Sequence, residues 1–213
     1  MSRLNMTPPR ATLAGLAAIV FLAAACGSSG PSSTTAPSSP SSFHTEVTDP
    51  VGDAVASAGV PNPPDLVHGT VDVGGGNVTL AIQFAPGALD RATTRLTIEL
   101  DTDQNPATGN LVAGPIGIDY VVDVWAARTP PTLIQQATPT TCATGGACYV
   151  QVGTTSPSVG VDSITTTVPL AMLGNASGRL NYRVFAYGSP QPTTPTVTAD
   201  VMPDITLPPA HVP

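Results

Sequence analysis

Lysine is absent from the 213 residues of this chain, and seven arginines face fourteen Asp and Glu, so the net charge is −7. Nucleic acids and anionic lipid surfaces are bound through patches of Lys and Arg that this composition does not provide, so no nucleic-acid partner is expected. Aromatic residues are scarce at 4 %, and Trp125 is the single tryptophan. His44, His68 and His211 stand singly along the chain, which argues against a zinc centre built from closely spaced Cys and His. No Gly-x-Ser-x-Gly turn, His-Glu-x-x-His helix or P-loop occurs, and the chain therefore reads as a non-enzyme. A long apolar run is also lacking. The longest mainly apolar stretch, Ala11 to Ala25, falls short of the roughly 18 residues that a lasting transmembrane helix needs.

What is there begins with the pattern of an export signal. Arg3 and Arg10 supply positive charge ahead of and beside the apolar stretch, and small residues lead up to Cys26. The stretch Leu22-Ala23-Ala24-Ala25-Cys26-Gly27 resembles the bacterial lipobox, with its leucine four rather than three residues before the cysteine. The resemblance implies cleavage after residue 25 and lipidation of Cys26 by a diacylglyceryl thioether and a further acyl chain such as palmitate. It places the chain on the extracytoplasmic face of the cell membrane. Each buried methylene contributes about 0.8 kcal/mol, so several acyl chains on one residue anchor stably where one would not. With Arg3 and Arg10 lost with the signal, the charge of −7 becomes −9. Residues 26–42, the lipidated cysteine and an uncharged Ser/Thr/Pro-rich segment, read as a tether, because they bury too little apolar area to offset the entropy of ordering. Residues 43–213, about 170 in number, are expected to form a single domain of ordinary size.

Within that domain, apolar and polar residues alternate with period two many times, and helical periodicity is nearly absent. Val67 to Val73 and Asn77 to Phe84 read as a hairpin across Gly74-Gly75-Gly76, with Val78, Leu80, Ile82 and Phe84 on one face. Arg95 to Asp101 and Ile116 to Ala126 read as central strands. Further strands are expected at Thr132 to Gln136, Cys148 to Gly153, Gly160 to Val168 and Leu180 to Tyr187. Gly87 to Thr93 and Pro169 to Gly174 have room for one helical turn each. Short strands punctuated by 24 prolines and 20 glycines favour an all-β fold, an immunoglobulin-like two-sheet antiparallel sandwich.

The order of several short motifs adds a resemblance. Asp49-Pro50-Val51-Gly52-Asp53 is followed by Leu80-Ala81-Ile82-Gln83-Phe84, then by Leu100-Asp101-Thr102-Asp103-Gln104-Asn105-Pro106 running on to Gly117-Ile118-Asp119-Tyr120, and later by Val168-Pro169-Leu170 and Asp200-Val201-Met202-Pro203-Asp204. This order resembles the DOMON-like β-sandwich domains of bacterial envelope proteins, which are similar to family-nine carbohydrate-binding modules. The resemblance implies a sandwich that binds sugar or haem, and it implies no reaction. Haem would need axial ligands such as His68, Met172 or Met202, whose spacing does not mark them out.

Three further groups are candidates for function. Asp101, Asp103 and Asn105 place oxygen-bearing side chains at every second position of a turn, and Asp119 stands on the following segment. Hard cations take six to eight oxygens, so calcium is the one candidate cofactor; the alternative is an Asx-rich turn that caps its own backbone, and the local ligand count falls short of a full shell. Pro106 and Val112 stand where an EF-hand would need Gly and Glu. Trp125 shares a strand face with Asp119, Val121 and Asp123, and it belongs either to a ligand-binding patch or to a core between the sheets. Cys142 and Cys148 enclose five residues and, in an oxidising compartment, are expected to form a disulfide. Together these features point to a lipid-anchored envelope module that binds a carbohydrate-like ligand or serves structurally, with a cell-wall glycan or an envelope protein as partner. The alternative is a secreted hydrolase or accessory subunit whose active site carries no known motif.

Overall fold

In the computed structural model the described residues are 42–56, 63–111, 116–125, 127, 131–141, 147–174, 176–188 and 197–213. They belong to one compact unit, Ser39–Pro213. In chain order the strands are β1 (Phe43–Thr48), β2 (Leu66–Gly74), β3 (Asn77–Phe84), β4 (Arg95–Asp101), β5 (Tyr120–Trp125), β6 (Thr132–Thr141) and β7 (Ala147–Thr155). There follow β8 (Ser158–Val159), β9 (Ser163–Pro169), β10 (Leu180–Gly188), β11 (Val197–Met202) and β12 (Ala210–Val212). One sheet has the order β1-β2-β3-β9-β8 and the other β11-β10-β4-β5-β6-β7. Both are antiparallel throughout, so the fold is an all-β two-sheet sandwich. Strand β10 gives one edge to β4 and shares the other, β11 pairing with Val184–Gly188 and β12 with Leu180–Tyr182. No helix among the described residues is long and apolar enough to cross a membrane.

The core follows from the alternation. Val78, Leu80, Ile82 and Phe84 of β3 turn inward and meet Leu96, Ile98 and Leu100 of β4, Val122 and Val124 of β5, and Tyr182 and Val184 of β10. Each large aliphatic side chain buried here contributes about 1.5–3 kcal/mol, which makes this face the main source of stability. The β2–β3 hairpin closes on Gly75 and Gly76, both at positive φ, as the glycine run predicts.

The two sheets differ in their outer faces. Strand β3 buries alternate residues, whereas all six residues of β5 and the last six of β4 are buried. The outer face of the seven-stranded sheet is therefore partly covered. Ile116 and Ile118 pack over Val121 and Ala137 in a second, smaller apolar cluster. Arg183 reaches the segment between β11 and β12, its Nη2 donating to the Leu207 carbonyl at 2.6 Å. Thr97 and Glu99, which alternation assigns to an outward face, are consequently only 9 % and 7 % exposed.

The expected central strand at 116–126 is shorter than its pattern. Regular pairing starts at Tyr120, and Ile118 makes only an isolated bridge to Asn110. Gly117, at φ 68°, bends the chain there. Pro169–Gly174 carries the expected turn, a 3-10 helix at Leu170–Leu173 closed by Gly174 in the left-handed region. Residues 87–93 form bends and turns without a helix.

Candidate functional site

The outer face of the seven-stranded sheet concentrates the polar and aromatic residues that the core does not use. Ladder pairing sets Arg95 opposite Trp125, Thr97 opposite Asp123 and Glu99 opposite Val121 across β4 and β5. On the other side of β4 it sets Arg183 opposite Glu99, Phe185 opposite Thr97 and Tyr187 opposite Arg95. Because alternate residues share a face, all of these side chains emerge on one surface. A pocket of about 330 Å³ opens there, lined by Arg95, Thr97, Glu99, Val121, Gln135, Tyr149, Phe185 and Tyr187.

A connected set of contacts holds one wall of the pocket. Arg95 Nε donates to Asp123 Oδ1, and its guanidinium carbon lies 5.0 Å from the Trp125 ring centre and 5.4 Å from that of Tyr187. Trp125 Nε1 donates to Asp123 Oδ2 at 3.1 Å. Asp123 thus orients both the arginine and the indole, and Arg95 sits between two rings where cation–π attraction and its planar fork both act. Phe185 and Tyr187, two residues apart on β10, stack with ring centres 6.3 Å apart.

Glu99, four residues along β4 from Arg95, lines the same pocket. Burial pushes its carboxyl up to about 7, with the Arg183 guanidinium pulling the other way. Burial also raises Tyr149, as does the negative charge of Glu99. A buried carboxyl that exchanges its proton near neutrality and a phenol in the same pocket each offer a donor and an acceptor to a polar, uncharged ligand.

Trp125 is not part of the core between the sheets. It is 4 % exposed, yet it lies on the sheet face away from the inter-sheet core, covered by Arg95 rather than open to solvent. Its strand face is the expected one, shared with Val121 and Asp123.

The acidic turn is assembled as the spacing suggests. Asp101, Asp103 and Asp119 each bring a carboxylate oxygen within 4.8 Å of the others. Donors within the protein already reach them. Asp101 accepts from the Asn105 amide at 3.1 Å and the Asn181 side chain at 2.9 Å; Asp103 accepts from the Asn105 amide and from Thr108 Oγ1; Asp119 Oδ2 accepts from the amide and hydroxyl of Thr102, both at 2.9 Å. Asn105 Oδ1 is taken by the Ala107 amide at 3.1 Å. Burial raises Asp101 above the ordinary carboxylate range, opposed by the Asn181 hydrogen bond. The turn closes on Gly109 and Gly117, where a Cβ would meet the Ile118 carbonyl at 2.5 Å and the Asn105 carbonyl at 2.8 Å.

Cys148 lies in β7, whereas Cys142 and Cys26 fall outside the described residues. His68 sits beside Glu46, its Nε2 3.4 Å from a carboxylate oxygen, and Met202 is wholly buried in the core. Sequence reading did not single out Arg95, Glu99, Tyr149, Arg183, Phe185 or Tyr187. The available signal was the outward set Asn181, Arg183, Phe185 and Tyr187 on β10, unusually large and aromatic for a solvent face. No family model and no curated protein matches this chain, so a functional assignment has the geometry of the site as its ground.

Proposed function

We propose that this chain is a non-enzymatic, lipid-anchored module of the cell envelope that binds a carbohydrate on the outer face of its seven-stranded sheet. The observation that supports this is the joint presence of Tyr149, Phe185 and Tyr187 with Thr97, Glu99, Gln135 and Arg95 in one pocket. Aromatic faces pack against the C–H faces of a sugar ring, while amide, carboxyl and guanidinium groups serve its hydroxyls. The volume falls at the lower end of the range for small-molecule sites, about 300–1,000 Å³. The DOMON-like resemblance and the absence of a basic patch agree with a neutral envelope glycan as ligand.

Titration with soluble cell-wall oligosaccharides tests this. A ligand that enters the pocket displaces or reorients Arg95, so the emission of Trp125, stacked beneath it, should shift. Tyr187→Ala should weaken binding at least about tenfold, which is about 1.4 kcal/mol. No shift across a panel of neutral and acidic glycans, or equal affinity of the variant, rejects the reading.

Glu99 supports a second reading, a hydrolase or accessory subunit, because a carboxyl that titrates near 7 in a pocket suits general acid–base work. Product release from glycan substrates separates the two, since a hydrolase turns over and loses that turnover in Glu99→Gln, whereas a binding module releases no product in either protein.

The anchoring part of the proposal rests on Cys26. Cys26→Ser should move the protein from the membrane fraction to the soluble exported fraction, and a variant that still sediments with membranes counts against lipidation. The pairing of Cys142 with Cys148 belongs to the same reading of an oxidising location; the ladder pair Thr141 and Ala147 stands directly beside the two cysteines. For the acidic turn, the density of internal donors supports a capping role first and calcium binding second.

A further inference from the structure

Five aspartates from distant parts of the chain meet at one end of the sandwich. Asp49 and Asp53 follow β1, Asp65 precedes β2, Asp200 lies in β11 and Asp204 follows it. Carboxylate oxygens of Asp49, Asp53 and Asp204 lie within 4.8 Å of one another, and so do those of Asp53, Asp65 and Asp200, with Asp53 common to both sets. Oxygens on opposite sides of a calcium ion stand about 4.8 Å apart, twice a Ca–O distance near 2.4 Å, so the spacing is that of a coordination shell.

Unpartnered oxygens give an independent observation. Asp65 is only 7 % exposed; its Oδ2 accepts from the Gly52 amide at 2.8 Å, while its Oδ1 is buried with no hydrogen-bond partner. Asp49 Oδ2 is likewise buried without a partner. Among the described residues no arginine or histidine forms an ion pair with any of the five, the ion pairs being His44–Asp72, His68–Glu46 and Arg95–Asp123. Buried carboxylate oxygens left without a donor or counter-charge are costly, and natural folds retain them where something else supplies the positive charge. The turn at Asp101 differs in this respect, since there donors reach all three carboxylates.

The ligands are also held in place. Asp200 accepts from the Leu66 amide at 2.6 Å and from its neighbour Val201 at 2.7 Å, and Gly52 fixes Asp65. These bonds leave lone pairs free on the same carboxylates. A pocket of about 250 Å³ lined by Asp53, Val55, Ala199, Asp200 and Asp204 borders the group, and Asp53 and Asp204 are exposed, which provides a path for an ion.

We infer that Asp49, Asp53, Asp65, Asp200 and Asp204 form a calcium site that ties the end of β1 and the start of β2, in one sheet, to β11 in the other. All donors are oxygens, and four of the five carboxylates stand outside the strands, which suits the variable six-to-eight coordination of calcium better than the strict octahedron of magnesium. The ion neutralises a group of charges that no arginine or histidine among the described residues pairs with, and it closes the sandwich at the end where Leu66 and Val55 already bond across to β11.

Isothermal titration of the full chain, purified in mild detergent, with calcium chloride tests the site. Saturable binding is expected with a Kd at or below about 10⁻³ M, the range of exported modules. Asp65→Asn and, separately, Asp53→Asn should each weaken it at least about tenfold, since each removes a formal charge from the ion's shell. Asp53 is exposed, so its variant keeps the fold even where Asp65→Asn does not. The double variant Asp101→Asn with Asp103→Asn should bind as the parent does. Absence of saturable binding overturns the inference, and so does binding that survives both Asp53→Asn and Asp65→Asn.

Discussion

Arg183→Met should lower the unfolding free energy by about 1–3 kcal/mol at pH 8, the range for leaving a buried polar group without its hydrogen-bond partner. Arg183 is 2 % exposed and stands opposite Glu99 in the β4–β10 ladder. It also holds the segment between β11 and β12 through the Leu207 carbonyl. Methionine fills much of the same volume but leaves Glu99, 7 % exposed, without the positive charge that opposes its burial, and leaves the Leu207 carbonyl without its donor. Urea denaturation checks this, with two further expectations. The loss should be smaller at pH 5, where Glu99 carries its proton, and smaller in a Glu99→Gln background, because the two residues act on each other. Equal stability of parent and Arg183→Met at pH 8 would show that this pair does not hold the covered face.

Stability should also fall as pH rises from about 4.5 to 7. Glu99 has an ordinary value of 4.5 and is pushed to about 7 in the folded chain. Between those values the folded state holds a proton that the unfolded state has released, so the contribution is complete below the lower value and lost as pH passes the upper one. The charged or titratable groups that act on Glu99 are Arg183 and Tyr149; the shift stays upward because burial outweighs the Arg183 charge. At about 1.4 kcal/mol for each pH unit, the change attributable to Glu99 is on the order of 3 kcal/mol. Asp49, pushed up to about 7 by burial and by Asp200, and Asp200, pushed up to about 6 by burial, act in the same direction. The informative quantity is therefore the difference between parent and Glu99→Gln, measured by denaturation at pH 5 and pH 8 in chelator. The variant should lose correspondingly less stability over that interval. An identical loss in both proteins would mean that Glu99 is not the buried acid of this face.

Local sequence by itself determined the class of the fold and much of its parts. Period-two alternation in Asn77–Phe84 and Arg95–Asp101 located β3 and β4, since a strand that buries one face must place its apolar residues at every second position. Gly75 and Gly76 marked the hairpin turn because they reach positive φ without strain, and Asp101, Asp103 and Asn105 marked a turn because short polar side chains cap nearby amides. The tertiary structure decided what pairing across the chain decides. Whether the outer face of β5 meets solvent depends on what lies above it: Ile116 and Ile118 pack on Val121, Arg95 lies over the Trp125 ring and the Leu207 segment reaches Arg183, on a side that alternation assigns to water. Leu66 and Asp200, 134 residues apart, become hydrogen-bond partners only once β2 and β11 lie in facing sheets. The five aspartates look like unrelated surface residues for the same reason: alternation records which way a side chain turns from its own strand, and only sheet packing sets what it meets there.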